Sequence, residues 1–331
     1  MTTRPDPTRR RLPVNGVDLA QRAEAVARNA NRRVRGVLRA VPGLRPTPVP
    51  AGVAPVRKRR NVGADYDTSW ARAWPARMTR ALLVEALVRP AMGALASPTI
   101  VGLDRLAGRA GPMVFAANHH SHLDTALLVS AIPEPWRHHL VVGAAADYFF
   151  ANRLTSPLSA LVVGAIPIER QKVARRSADL AADLIEDGWS VLIFPEGGRS
   201  PDGWGQPFRG GAAYLALRCG VPVVPVHVEG TGRLLPKGAK FPRRASTTVT
   251  FGSPLVAPDG EDARRFVKRI EAAVAALADE RSTDWWQARR RAHAGTTPSL
   301  QAPNEGAWRR TWALGGEIER KRERWPLRSS D

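Results

Sequence analysis

The sequence predicts an α/β protein: a mixed, largely parallel sheet flanked by helices, with basic helical extensions at both ends. Six apolar runs of strand length lie between residues 112 and 252, and helical stretches ending at glycine separate several of them. Positive charge concentrates outside this region. Residues 1–60 hold 15 Lys+Arg against 3 Asp+Glu, residues 281–331 hold 11 against 6, and the middle holds 24 against 21. Strand–helix alternation at this spacing lays helices over a sheet, while basic extensions attract anionic lipid or nucleic acid.

In chain order, residues 1–60 form a basic arm. Asp18 and Gln21 have capping-box spacing, and Leu19, Ala23, Val26, Ala30, Val34 and Val37 recur on one face of a helix over 18–40. The arm is either an amphipathic helix for an anionic surface or a solvated, partly disordered segment. A Pro-rich linker follows to about residue 56. Residues 61–97 predict a helical, membrane-proximal lead-in containing Trp70 and Trp74. Its apolar run is broken by Glu85, Arg89 and Pro90, which argues against a spanning helix.

The domain over 98–280 carries strands at "PMVFAA" (112–117), "HLVVGAA" (139–145), "GAIPI" (164–168), "SVLIFP" (190–195), "VPVVPVHV" (221–228) and "TTVTFG" (247–252). Helices are predicted over 171–188, 210–220 and 261–280. The tail, 281–331, interleaves Trp285, Trp286, Trp308, Trp312 and Trp325 with arginine clusters. That mixture suits an interfacial lipid anchor, packing of the tail on the core, or stacking on nucleic acid, the last without a recognised module. Cys219 is the sole cysteine, so no intrachain disulfide forms and a reducing compartment fits. "MTTRPDPTRRRLP" has no apolar run behind its charges, which speaks against a secretory signal.

The stretch "NHHSHLDT" (118–125) concentrates the chemistry. As a metal site, His120, His122 and Asp124 match most of an H-x-H-x-D-H motif, but residue 125 is threonine and no further histidine has zinc-type spacing. As an acid–base site, His119 and Asp124 are five positions apart and share no helical face, so they meet only across a strand-to-helix corner. There the carboxylate holds one imidazole nitrogen and leaves the other to take a proton. No G-x-S-x-G nucleophile motif is present, so the nucleophile is a substrate hydroxyl.

"NHHSHLD", "GAIPIER" (164–170), "FPEGGRS" (194–200) and "VPVVPV" (221–226) occur in order, each at a strand end. Together they resemble the four blocks of the glycerolipid acyltransferase family, over roughly 98–255. The resemblance implies a glycerophosphate acyltransferase-like fold and transfer of a fatty acyl group from acyl-CoA or acyl carrier protein to the free hydroxyl of lysophosphatidate. It implies His119 as general base with Asp124 behind it, and Arg170, Glu196, Gly197, Arg199 and Pro225 at the substrate. It implies no metal and no cofactor beyond the thioester co-substrate. Gly198 stands where the third block usually has threonine, which leaves other lipid hydroxyls, such as a lyso-ornithine lipid or a glycolipid, as alternative acceptors. A non-catalytic membrane-binding adaptor is a further alternative. The expected partners are anionic membrane lipids, the lysophospholipid and the acyl donor, with no specific nucleic acid. The expected location is the cytoplasmic face of the cell membrane, peripherally bound.

Overall fold

The computed structural model describes residues 63–302 except 153–154, 169–174, 201–202, 236–238 and 240. The chain divides between Arg59 and Arg60, and every described residue belongs to the second unit. The helix predicted over 18–40, and Trp308, Trp312 and Trp325, lie outside the described residues.

A 3₁₀ turn at Ser69–Arg72 leads into α1 (Trp74–Leu83), with Pro75 in the first turn where no N–H is needed. Val84–Val88 widen into a π-turn before α2 (Arg89–Ala96). Pro90 explains the widening. It has no N–H for the carbonyl of Ala86, and the Arg89 N–H reaches back to Val84 instead. Then follow β1 (Pro98–Val101), β2 (Val114–Ala117), α3 (Asp124–Ala131), β3 (Leu140–Ala145), α4 (Ala146–Phe149), α5 (Thr155–Val163) and β4 (Ala165–Ile168). The remainder is α6 (Arg175–Glu186), β5 (Ser190–Ile193), α7 (Gly211–Cys219), β6 (Val223–Glu229), α8 (Thr231–Leu234), β7 (Thr247–Phe251), α9 (Ala263–Ser282) and α10 (Trp285–Ala294).

The strands form one sheet in the order β1-β7-β6-β2-β5-β3-β4, and only β6 and β7 pair antiparallel. β2 lies at the centre, with Ala116 opposite both Ile193 of β5 and Pro225 of β6. All four of its residues are buried, as a strand covered on both faces requires. On one face α2, the π-turn and α3 pack on Phe115, Val226, Val249 and Phe251. On the other, α6, α7 and α9 pack on Val114, Ala116 and Val191.

The mixed, mostly parallel sheet is the architecture the strand–helix alternation predicts, and all six predicted strands are present. β1 escapes that reading because it is an edge strand, half exposed and too short to give an apolar run.

Arg80 ties the lead-in to the domain. Its guanidinium donates to the carbonyls of Leu161 (2.8 Å), Ala71 (2.6 Å) and Ala160 (3.1 Å), joining α1 to α5. Burial lowers its pKa to about 10, so it stays cationic at neutral pH.

At the other end, α10 opens on Asp284, which accepts from the Gln287 N–H at 2.8 Å. It is held to α9 by Arg291, whose Nη1 lies 2.7 Å from the buried Asp279 Oδ1. Trp285 and Trp286 consequently face outward, 50% and 62% exposed, so these two tail tryptophans do not pack on the core. Among the described residues no helix is long and apolar enough to cross a membrane.

Candidate active site

The site forms where the chain leaves the C-terminal end of β2, an edge at which parallel sheets expose loops to ligands. Asn118 comes first. Its side-chain amide donates to the Val228 carbonyl at 2.8 Å, and its oxygen accepts from the Val228 N–H at 2.7 Å. The amide thus extends the β2–β6 ladder one step beyond Ala117↔Val226 and fixes where His119 begins.

His119 is fixed at three points. Its N–H donates to Glu196 Oε1 at 2.9 Å, and its carbonyl accepts from the Ser200 N–H at 2.8 Å. Its Nδ1 lies 2.9 Å from Asp124 Oδ2. The ring also stacks on Phe194, centroids 4.1 Å apart and 23° between planes. Asp124 is fully buried at the first residue of α3, and its Oδ2 further accepts from the N–H groups of His120 (2.7 Å) and Ser121 (2.8 Å). The six residues 119–124 therefore turn tightly enough around one carboxylate oxygen to bring together two side chains that no helix would. With Nδ1 occupied, Nε2 is the nitrogen left for a ligand.

Among the described residues, His119, His120 and His122 do not converge on a shared cation position with Asp124. The Asp124 oxygen that faces this block is already occupied by three N–H groups.

The third block follows β5. Glu196 is 1% exposed, and both its oxygens are engaged by backbone, Oε1 by His119 and Oε2 by the Gln206 N–H at 2.9 Å. Burial pushes its carboxyl up to about 7. The expectation that Glu196 touches substrate therefore meets a different geometry: the side chain braces the loop that carries the histidine from behind. Gly197 has φ +71°, a left-handed conformation that favours glycine, and a Cβ there would push the end of the Arg209 side chain aside. Arg199 lines a polar cavity, its carbonyl held by Gln206 Nε2 at 3.2 Å.

Two adjoining cavities share His119, His122, Phe149 and Gly198. One, about 210 Å³, is apolar, walled by residues such as Val142, Ala144, Ile168, Ile193 and Phe194. The other, about 260 Å³, adds Tyr148, Arg199 and Ser200. His119 thus stands where an apolar chain and a polar head could meet.

Of the residues expected at the substrate, Gly197 and Arg199 are brought to these cavities with His119. Arg170 lies outside the described residues. Pro225 is buried within β6, its carbonyl accepting from the Gly252 N–H at 2.8 Å, on the side of the sheet facing Leu277 and away from both cavities. His122, Tyr148 and Phe149 were not singled out from the sequence as cavity residues. The available signal was position: "DYFF" follows Ala146, the first residue beyond β3, at the same sheet edge as the histidine block.

Residues 98–229 match the family model described as Acyltransferase. A chloroplastic 1-acyl-sn-glycerol-3-phosphate acyltransferase of Brassica napus is 34% identical over 144 residues, 43% of this chain and 40% of that protein. The beta form of the Homo sapiens 1-acyl-sn-glycerol-3-phosphate acyltransferase is 30% identical over 151 residues, covering 42% and 49% respectively. Among solved structures, the Thermotoga maritima 1-acyl-sn-glycerophosphate acyltransferase aligns with a TM-score of 0.48 at 20% identity, covering 65% of this chain and 83% of that one. The chain spans less than half the length of the Brassica and human relatives.

Proposed function

We propose, from the match of residues 98–229 to the Acyltransferase family model and the likeness to 1-acyl-sn-glycerol-3-phosphate acyltransferases, that the chain is a glycerolipid acyltransferase that acylates the free hydroxyl of lysophosphatidate from acyl-CoA or acyl carrier protein. The observation that carries the reading is His119 at the junction of an apolar and an arginine-lined cavity, its Nδ1 held by Asp124 at 2.9 Å. In this reading His119 Nε2 takes the proton of the acceptor hydroxyl as its oxygen attacks the thioester carbonyl. The tetrahedral intermediate collapses to the ester, and the departing thiolate recovers the proton from the imidazolium. Asp124 stabilises that cation while it exists. Arg199 supports the phosphate by charge, and the family resemblance assigns Arg170 a substrate-binding role as well.

The test is release of free coenzyme A thiol from acyl-CoA by the purified full chain. Thiol should appear with lysophosphatidate present, together with phosphatidate in equal amount. Thiol release that is independent of any lipid acceptor would mark a thioesterase and overturn the reading.

Both substrates are amphiphiles, and we place the enzyme peripherally on the cytoplasmic face of the membrane. Trp74, Met78, Leu82 and Leu87 support this, being 72%, 52%, 68% and 62% exposed along the lead-in helices. So do Trp285 and Trp286, with the Arg289 guanidinium 5.5 Å over the Trp285 ring. Exposed tryptophan and arginine favour the headgroup layer, at about 1 kcal/mol per basic residue near an anionic surface. Sedimentation with phosphatidylglycerol vesicles should fall as salt rises. Equal recovery on phosphatidylcholine vesicles at every ionic strength would remove the electrostatic part of the proposal.

A further inference from the structure

The polar cavity has a wall that no block of the family resemblance names. Tyr148, the third residue of α4 (Ala146–Phe149), reaches the same cavity as Arg199 and Gly198. Its ring lies parallel to His122, centroids 5.2 Å apart at 13°, and its hydroxyl is 3.2 Å from His122 Nε2. In the same lining Gly198 contributes no side chain, and a Cβ built there would meet no atom within 4 Å. The cavity therefore combines an arginine and a tyrosine in its lining with open space at Gly198.

The other oxygen-bearing side chains nearby are already engaged. Ser200 Oγ donates to the Trp204 carbonyl at 2.7 Å and accepts from the Gly203 N–H at 2.8 Å. Glu196 is buried behind the loop, and the cavity lining contains no carboxylate. A site with one guanidinium, a phenol O–H and no acid suits a compact dianion. With its proton on Nε2, His122 donates to the Tyr148 oxygen and leaves the phenol O–H to donate into the open space.

We infer that Tyr148, oriented by His122, is a specificity-determining residue that hydrogen-bonds the phosphomonoester of the acceptor beside Arg199. The inference rests on the acyltransferase reading for the identity of the ligand, and deepens it by assigning the residue that distinguishes a phosphate-bearing acceptor from a neutral one.

The test separates binding from chemistry. Short-chain lysophosphatidate and the corresponding monoacylglycerol, both below micelle-forming concentration, are titrated into the full chain and into Tyr148→Phe. Tyr148 is 55% exposed, so the phenylalanine variant keeps its packing. We expect Tyr148→Phe to raise the Kd for lysophosphatidate about tenfold and to leave that for monoacylglycerol unchanged. In turnover, KM for lysophosphatidate should rise in parallel while kcat and KM for acyl-CoA hold. Equal Kd values for wild type and variant overturn the inference, as does an equal loss for both lipids. Competition by coenzyme A for the Tyr148-dependent binding overturns it too, because the phosphate recognised would then be the donor's. If wild type binds lysophosphatidate in a Tyr148-dependent way but transfers no acyl group, the assigned reaction fails and this binding role stands.

Discussion

Replacing His119 with alanine should lower kcat for acyl transfer by about 10²–10⁴-fold, the range a positioned general base supplies. The change should leave lipid binding and the fold nearly intact. Asp124 Oδ2 keeps the His120 and Ser121 N–H bonds after the imidazole is gone, and the backbone amide and carbonyl of residue 119 keep their partners on the third block. What disappears is the Asp124-backed imidazole nitrogen assigned to take the proton of a hydroxyl between the two cavities. Coenzyme A release with lysophosphatidate, measured alongside vesicle sedimentation, checks the result. A variant that retains activity within about threefold would remove the base from the mechanism.

Glu196→Gln should be nearly as damaging to catalysis, although its side chain lines neither cavity. The carboxylate accepts N–H groups from His119 and Gln206 on opposite oxygens. Glutamine satisfies one and turns an NH₂ donor on the other, which costs about 1–3 kcal/mol in a buried place. It also frees the backbone of the base to shift, and a displacement of about 1 Å is worth roughly 10²-fold in rate.

A pH signature separates this from general destabilisation. Burial raises the carboxyl from 4.5 to about 7 in the fold, so between those values the native state holds a proton that the unfolded chain has released. Stability contributed by this group is therefore full below the unfolded value and is lost as pH rises through the folded one. The unfolding free energy of wild type minus that of Glu196→Gln should be largest near about pH 4.5 and shrink towards about pH 8. A difference constant across that window would show that the group does not titrate there.

The parts legible in the sequence were those written in local pattern. Buried parallel strands read as unbroken apolar runs, and all six proposed from such runs exist. The His119–Asp124 contact was also legible, because a five-residue spacing excludes a shared helical face and requires a corner. β1 was not, since an edge strand needs no apolar run. The position of Glu196 was hidden for a different reason. A glutamate beside two glycines and an arginine reads as a ligand, and only the folded chain reveals two backbone N–H groups closing on it, His119 from the loop after β2 and Gln206 from the loop after β5. The place of Tyr148 in the cavity was equally hidden, because it depends on β3 ending at the same sheet edge as β2. Pro225 was read from block resemblance alone, and its buried place in β6 is what a strand residue on the α9 side must have.

The central position of β2 bears on how such a protein diversifies. The His119 imidazole emerges from the most enclosed strand of the sheet, secured on one flank by an asparagine amide and on the other by a glutamate. Drift in that segment disturbs the whole interior, so it is poor material for new preferences. Tyr148 and Gly198 carry no such burden: the tyrosine is 55% exposed and a Cβ at the glycine would meet open space, so side chains there can change while the interior stays as it is.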